Sequence, residues 1–130
     1  PQDETMTVSI GGSVPFWPHE GNRRPRNGKL SGTEILGDRG DPVYAVAAGR
    51  VVWKAPDKVF GGELVIIENE DGFQYVYGGT DAESVERDQR IEAGTEIGHL
   101  GVDPNTGEAR VFFTIMKNGR IVDAEHAPRG

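Results

Sequence analysis

The sequence predicts an all-β domain built from short antiparallel strands. Two observations predict this class. The chain of 130 residues contains 19 glycines and 8 prolines, and its apolar residues recur in short β-branched runs between these turn formers. No stretch keeps apolar residues at helical spacing for more than about two turns. Short strands separated by turn signals every 8 to 12 residues or so are typical of a sandwich or a barrel.

The chain is predicted to begin with a tail, an extended segment and a long loop. Residues 1–12 are polar and acidic, and they predict a flexible tail before a domain that covers residues 13–130. Two prolines flank Phe16 and Trp17, which is typical of an extended segment lying over a core edge. Residues 20–31 predict a polar loop whose arginines are solvated, and at about twelve residues it is long enough to have a function.

The predicted strands then follow in quick succession. Asp71-Gly72 and Asn118-Gly119 are typical of tight hairpin turns. Residues 80–89 are the only segment that predicts a helical turn. The predicted strands cover residues 33–36, 42–46, 49–54, 63–68, 73–77, 90–91, 96–100, 109–116 and 121–122.

Composition excludes several functional classes. The net charge of −7 argues against a nucleic-acid partner, which requires a basic face. The absence of cysteine excludes disulfides and thiolate metal sites. No run approaches the roughly 20 apolar residues of a membrane span. Because the chain begins with Pro1 and not Met, we expect a piece of a longer or processed protein.

The three histidines do not predict a metal site. His19, His99 and His126 are far apart, and none has a second histidine or a carboxylate at metal-ligand spacing. We expect structural or surface roles for all three.

Several short motifs, in this order and at this spacing, resemble a known family. They are Phe16-Trp17-Pro18, Gly40-Asp41-Pro42-Val43-Tyr44-Ala45, Gly49-Arg50-Val51-Val52, Gly61-Gly62, Tyr75-Val76-Tyr77, Gly94-Thr95-Glu96-Ile97-Gly98, Thr106-Gly107 and residues 113–123. Together, residues 16–123 resemble a LytM-type (lysostaphin-like) zinc endopeptidase domain of bacterial cell walls. The resemblance implies a β-sandwich or half-barrel with long loops around a groove.

The catalytic positions of that family differ in this chain. The family's H-x-G-x-D motif corresponds to residues 30–34, which read Leu-Ser-Gly-Thr-Glu. Its Tyr-x-His corresponds to residues 75–77, which read Tyr-Val-Tyr, and its H-x-H-F-E to residues 110–114, which read Arg-Val-Phe-Phe-Thr, or to a register one residue earlier. Catalytic zinc needs three protein ligands and a base for the water, and only Glu34 remains as a donor. We therefore expect a degenerate domain without catalytic activity, metal or cofactor.

The resemblance extends to degenerate domains of the EnvC-like murein hydrolase activators. It implies an extracytoplasmic protein of the cell envelope that binds a cell-wall amidase or another envelope protein. We expect the groove itself to bind the partner, through Leu30, Glu34, Tyr77, Arg110 and Phe112. Two alternatives stay open: a non-catalytic peptidoglycan-binding or scaffold domain, and an active hydrolase with unusual zinc ligands.

Overall fold

A computed structural model describes residues 14–28 and 30–130, and the predicted tail therefore lies outside the described residues. Ten strands are present in the described part of the chain. They are β1 (Arg23–Arg26), β2 (Gly32–Leu36), β3 (Pro42–Tyr44), β4 (Gly49–Pro56), β5 (Glu63–Glu68), β6 (Phe73–Asp81), β7 (Arg90–Ile91), β8 (Glu96–Val102), β9 (Ala109–Lys117) and β10 (Arg120–Val122).

The strands confirm the all-β class and correct two predictions. The described residues contain no helix, and therefore none that could span a membrane. Residues 80–89, predicted as a helical turn, instead complete β6 and continue in turns. The predicted loop 20–31 contains β1, because the arginine segment pairs with β2 along its whole length.

The sheet is antiparallel, and β9 is its central strand. The order of strands is β1-β2-β9-β8-β6-β5-β4-β7, with β10 paired to β9 and β3 paired to β8. β9 also pairs with β6, from Lys117 opposite Phe73 to Phe112 opposite Gly78. Beyond Gly78 the two strands separate and β8 lies between them, with Gly101 opposite Arg110. This fork opens the sheet beside Arg110.

Side-chain alternation gives the sheet two different faces. Successive residues of a strand point to opposite faces. Val111, Phe113 and Ile115 of β9 belong to the buried apolar cluster, together with Tyr75 and Tyr77 of β6. We call this side the core face. Arg110, Phe112 and Thr114 alternate with them and lie on the other side, which we call the outer face.

The aromatic segment before β1 covers an edge of the core face. Trp17 is half-buried, and its ring packs edge-on against Phe113 with 6.1 Å between the ring centroids. The prediction that this segment lies over the core is therefore confirmed.

Candidate functional site

Three of the five predicted groove residues meet on the outer face beside the fork. Glu34 of β2 lies directly opposite Phe112 of β9. Arg110 is two residues before Phe112 on the same face, and its Nε is 3.4 Å from Glu34 Oε2. Leu30 is half-buried at the end of the β1–β2 connection, where it lines a neighbouring pocket with Phe60.

Tyr77 is separated from these residues, which corrects the prediction that its side chain lies in the groove. Its ring packs against Phe113 on the core face, with 5.4 Å between the ring centroids. The Val46 backbone N–H donates to the Tyr77 hydroxyl oxygen at 3.0 Å. Burial raises the pKa of this tyrosine. Tyr77 is a core residue because it alternates with Val76 and Gly78, which face outward.

A network of arginines and carboxylates surrounds Glu34. Arg24 Nε donates to Glu34 Oε1 at 2.9 Å, and Arg26 Nη1 donates to Oε2 at 2.8 Å. With Arg110, three guanidinium groups therefore contact one buried carboxylate. The prediction that the arginines of β1 are solvated is right only in part: the side chains of Arg24 and Arg26 are 41% and 32% exposed, but carboxylates bind both. We call this group of six residues the arginine–carboxylate cluster; its members are Arg24, Arg26, Glu34, Asp103, Glu108 and Arg110.

Arg110 is the most deeply buried member of this cluster. Its side chain is fully buried, between Glu34 and Asp103, and its Nη2 is 3.3 Å from Asp103 Oδ2. In the part of the chain that the structure describes, none of its three side-chain nitrogens makes a hydrogen bond of good geometry. The charge of the guanidinium is therefore compensated, but its hydrogen-bonding capacity is not. Such a group stays buried only while its carboxylates remain in place.

Two stacked aromatic rings, those of Phe60 and Phe112, cover the site. The β4–β5 loop places the ring of Phe60 on that of Phe112, with 4.4 Å between centroids and 14° between planes. The Arg26 guanidinium carbon lies 5.0 Å from the Phe60 ring centroid, within cation–π distance. Phe112 is fully buried as a result.

Comparison with known proteins shows the family. Residues 28–124 match the model of Peptidase family M23. The chain belongs to peptidase family M23. This M23 domain is 31% identical over 135 residues to outer membrane antigenic lipoprotein B of Haemophilus influenzae, an alignment that covers 99% of the chain and 33% of the relative. It is also 31% identical over 127 residues to murein hydrolase activator NlpD of Salmonella dublin, covering 95% of the chain and 33% of the relative.

The M23 domain thus spans about a third of the length of these curated relatives. A solved structure supports the fold: the A109H mutant of the catalytic domain of the prophage-encoded M23 protein EnpA from Enterococcus faecalis. It superposes with a TM-score of 0.67 at 24% identity, covering 85% of this chain and 95% of that one. The LytM-type fold predicted from the sequence is confirmed.

The close approach of β6 to Arg110 requires a glycine. On β6, the residue that faces Arg110 is Gly79. Its φ is +74°, next to a register shift in the β5–β6 pairing, and a Cβ atom there would overlap Arg110 Nη1. A glycine pair inside a strand is a sequence signal for such a bulge.

The side chains at this site do not fit a zinc ion. Phe112 and Gly79 offer no donor atom, and the Arg110 guanidinium lies between the two nearest carboxylates. Within residues 14–28 and 30–130, no three His, Cys, Asp or Glu side chains are grouped closely enough to hold a metal ion.

The electrostatics of the cluster hold Glu34 in its ionised form. Burial opposes ionisation of this carboxyl, but hydrogen bonds from Arg24 and Arg26 outweigh it and lower the pKa of Glu34. The pKa of Asp103 is also lowered, chiefly by the backbone N–H of Asn105. Both carboxylates are therefore negative at neutral pH, and the arginines supply the opposing charge.

Sequence reasoning missed four of the six cluster residues and one of the two stacked rings. It did not include Arg24, Arg26, Asp103 or Glu108 among the site residues, nor Phe60. Arg24 and Arg26 carried a usable signal, because residues two apart share one face if the segment is a strand. Glu108 contacts Arg24 across 84 positions of sequence, at 2.6 Å from its Nη2, and no local pattern predicts that pair.

Proposed function

We propose that this M23 domain is a non-catalytic regulator in the cell envelope that binds and activates a cell-wall hydrolase. The observation that carries the proposal is the arginine–carboxylate cluster. Where the resemblance places the zinc ligands and catalytic residues of the peptidases, this chain has Leu30, Arg110 and Phe112. Its one remaining carboxylate, Glu34, is bound by three guanidinium groups. The buried guanidinium repels a metal cation at this site. The residues around it still form a packed surface that is available to a partner.

The relatives support the regulatory part of the proposal. One of them is named a murein hydrolase activator, and another is named an outer membrane lipoprotein. These names fit a protein that acts on cell-wall hydrolases from within the envelope. A cell-wall amidase is the partner class that we propose.

We further propose that the partner binds over the stacked rings and the cluster. Leu30 is half-buried at this surface, and it lines a pocket there with Phe60, which is only 5% exposed. Glu34, Arg110 and Phe112 are buried beneath it. The buried residues would support the surface rather than contact the partner, as a packed layer fixes the geometry of a binding site. Aromatic and arginine side chains are also the residue types on which protein interfaces most often depend.

A dye-release assay on labelled murein tests the proposal. The chain, a purified amidase from the same organism and the mixture of both are compared. We expect the chain alone to release no dye and the mixture to release more than the amidase alone. Dye release by the chain alone would refute the hypothesis that the domain is non-catalytic. Equal release with and without the chain would refute activation.

Two variants and a sedimentation measurement extend this assay. Leu30→Asp places a charge at the proposed surface and is expected to abolish the stimulation, whereas Ile121→Asp, at an exposed position on β10, is expected to preserve it. Strong co-sedimentation of the chain with purified sacculi, without stimulation of the amidase, would favour the peptidoglycan-binding alternative.

A further inference from the structure

A small apolar pocket opens beside the stacked rings, between β1 and the β4–β5 loop. It is a cavity of about 240 Å³. Its lining consists of Arg26, Asn27, Gly28, Leu30, Val59 and Phe60. Sites for drug-sized ligands usually range from about 300 to 1,000 Å³, so this pocket suits a single large side chain better than a separate small molecule.

Val59 is exposed at this pocket because hydrogen bonds within the β4–β5 loop fix its backbone there. Its side chain is 61% exposed, the highest value for a large apolar side chain in the described part of the chain. The Val59 N–H donates to Asp57 Oδ1 at 2.7 Å, and the Asp57 N–H donates to the Gly62 carbonyl oxygen at 2.9 Å. The neighbouring Phe60 is fixed by its stack on Phe112. An apolar group held rigidly in solvent loses little entropy when a partner covers it.

Two basic residues lie on the segments that form this pocket, although the chain carries a net charge of −7. Arg26 lines the pocket, and among the described residues its hydrogen bond to Glu34 engages only Nη1 of the guanidinium. Lys58, next to Val59, is exposed. Asp57 is turned inward by its bonds to the loop backbone. This local reversal of sign favours an acidic partner segment.

We propose that this pocket binds a large apolar side chain of the cell-wall hydrolase, and that Arg26 and Lys58 bind a neighbouring carboxylate on the same segment. The inference rests on the proposed function, and it specifies which chemistry of the partner the domain recognises. The contact lies directly on Phe60, and so joins the partner to the aromatic stack over the site.

Binding of the chain to a purified amidase, measured by calorimetry, tests the proposal with matched variants. Val59→Asp puts a like charge against the expected carboxylate and should weaken binding by about tenfold or more. The matched control is Val52→Asp, at a valine that is 41% exposed on β4, which should change affinity less than about twofold. Since both valines are exposed, the melting temperatures of the variants should match that of the wild type.

A charge reversal tests the second half of the proposal. Lys58→Glu should weaken binding by about threefold to tenfold and reduce the dependence of affinity on salt, because exposed charge pairs are screened. Arg120→Glu, at the exposed first residue of β10, is the control and should leave both quantities unchanged.

The possible outcomes separate this inference from the proposed function. If the wild-type chain binds the amidase and Val59→Asp binds equally well, the pocket is not the docking site, while the proposed function stands. If the wild-type chain does not bind the amidase at all, the proposed function and this inference both fail. If Val59→Asp instead abolishes self-association or binding to sacculi, the occupant is a second copy or the wall, which also overturns the inference.

Discussion

The two faces of β9 are filled in opposite ways. On the core face, Val111 and Phe113 pack among apolar side chains from neighbouring strands. On the outer face, Arg110 and Phe112 are equally buried, but by carboxylates and by a single stacked ring. The comparison shows how the fold can persist while the chemistry changes. The apolar cluster lies on the other face of the sheet, so positions 110 and 112 of the outer face can accept arginine and phenylalanine.

The largest effect that would test this comparison is removal of a cluster charge. Glu34→Gln leaves Arg110 buried with only Asp103 as a counter-ion, and we expect a loss of about 3 to 5 kcal/mol in the free energy of unfolding, measured with urea. That is as much as Phe113→Ala, a large cavity on the core face, is expected to cost. Arg110→Met should cost less than about 1 kcal/mol, because Glu34 keeps two other arginines.

The difference in cost between Glu34→Gln and Arg110→Met is the most informative part of this prediction. If Arg110→Met is as harmful as Glu34→Gln, the arginine itself stabilises the domain, and the two faces contribute to stability in the same way. If neither variant is destabilised, the buried charges contribute little and only the core face matters.

A somewhat smaller effect is expected at the bulge of β6. Gly79→Ala places a methyl group against Arg110 Nη1 at a φ of +74°, and should cost about 2 to 3 kcal/mol. The control is Gly72→Ala, which has a φ of +88° but no atom within 4 Å of the added Cβ, and should cost about 1 kcal/mol. The difference between the two variants measures the crowding at Gly79, by the guanidinium and by the Phe60 carbonyl oxygen at 3.1 Å.

A double mutant decides whether the contact with the guanidinium is the cause. With Arg110→Met in place, Gly79→Ala should cost less than in the wild type, because the overlapping nitrogen is gone and only the Phe60 carbonyl oxygen, at 3.1 Å, still crowds the added Cβ. A double mutant that keeps the full penalty would show that the backbone, and not the guanidinium, makes glycine necessary at this position.

The same contrast explains how much could be predicted from the sequence. The core face depends on local alternation and on turn residues, and nine strands were predicted. The largest error is in β6, which extends to Asp81 and not only to residue 77. The outer face depends on pairs distant in sequence, such as Arg24 with Glu108, which local patterns do not contain. Tyr77 was misplaced for a related reason: a tyrosine pair looked like a motif, whereas the strand's alternation directs both rings into the core.

The smallest expected effect is the loss of stability at acidic pH. The pKa of Glu34 is lowered in the folded protein, since hydrogen bonds from Arg24 and Arg26 outweigh its burial. In the unfolded chain this carboxyl has the ordinary glutamate pKa of about 4.3, so it binds the proton more tightly than in the folded protein. The stabilisation by this carboxylate is complete above that pH and is lost as the pH falls through the folded pKa. We expect the free energy of unfolding to decline as the pH falls below about 5, by about 1.4 kcal/mol for each unit by which the folded and unfolded pKa values differ. The decline should be shallower in Glu34→Gln and unchanged in Glu92→Gln, an exposed control. Parallel curves for the wild type and Glu34→Gln would mean that the arginines do not hold this carboxylate in its charged form, and that the outer face is not organised around it.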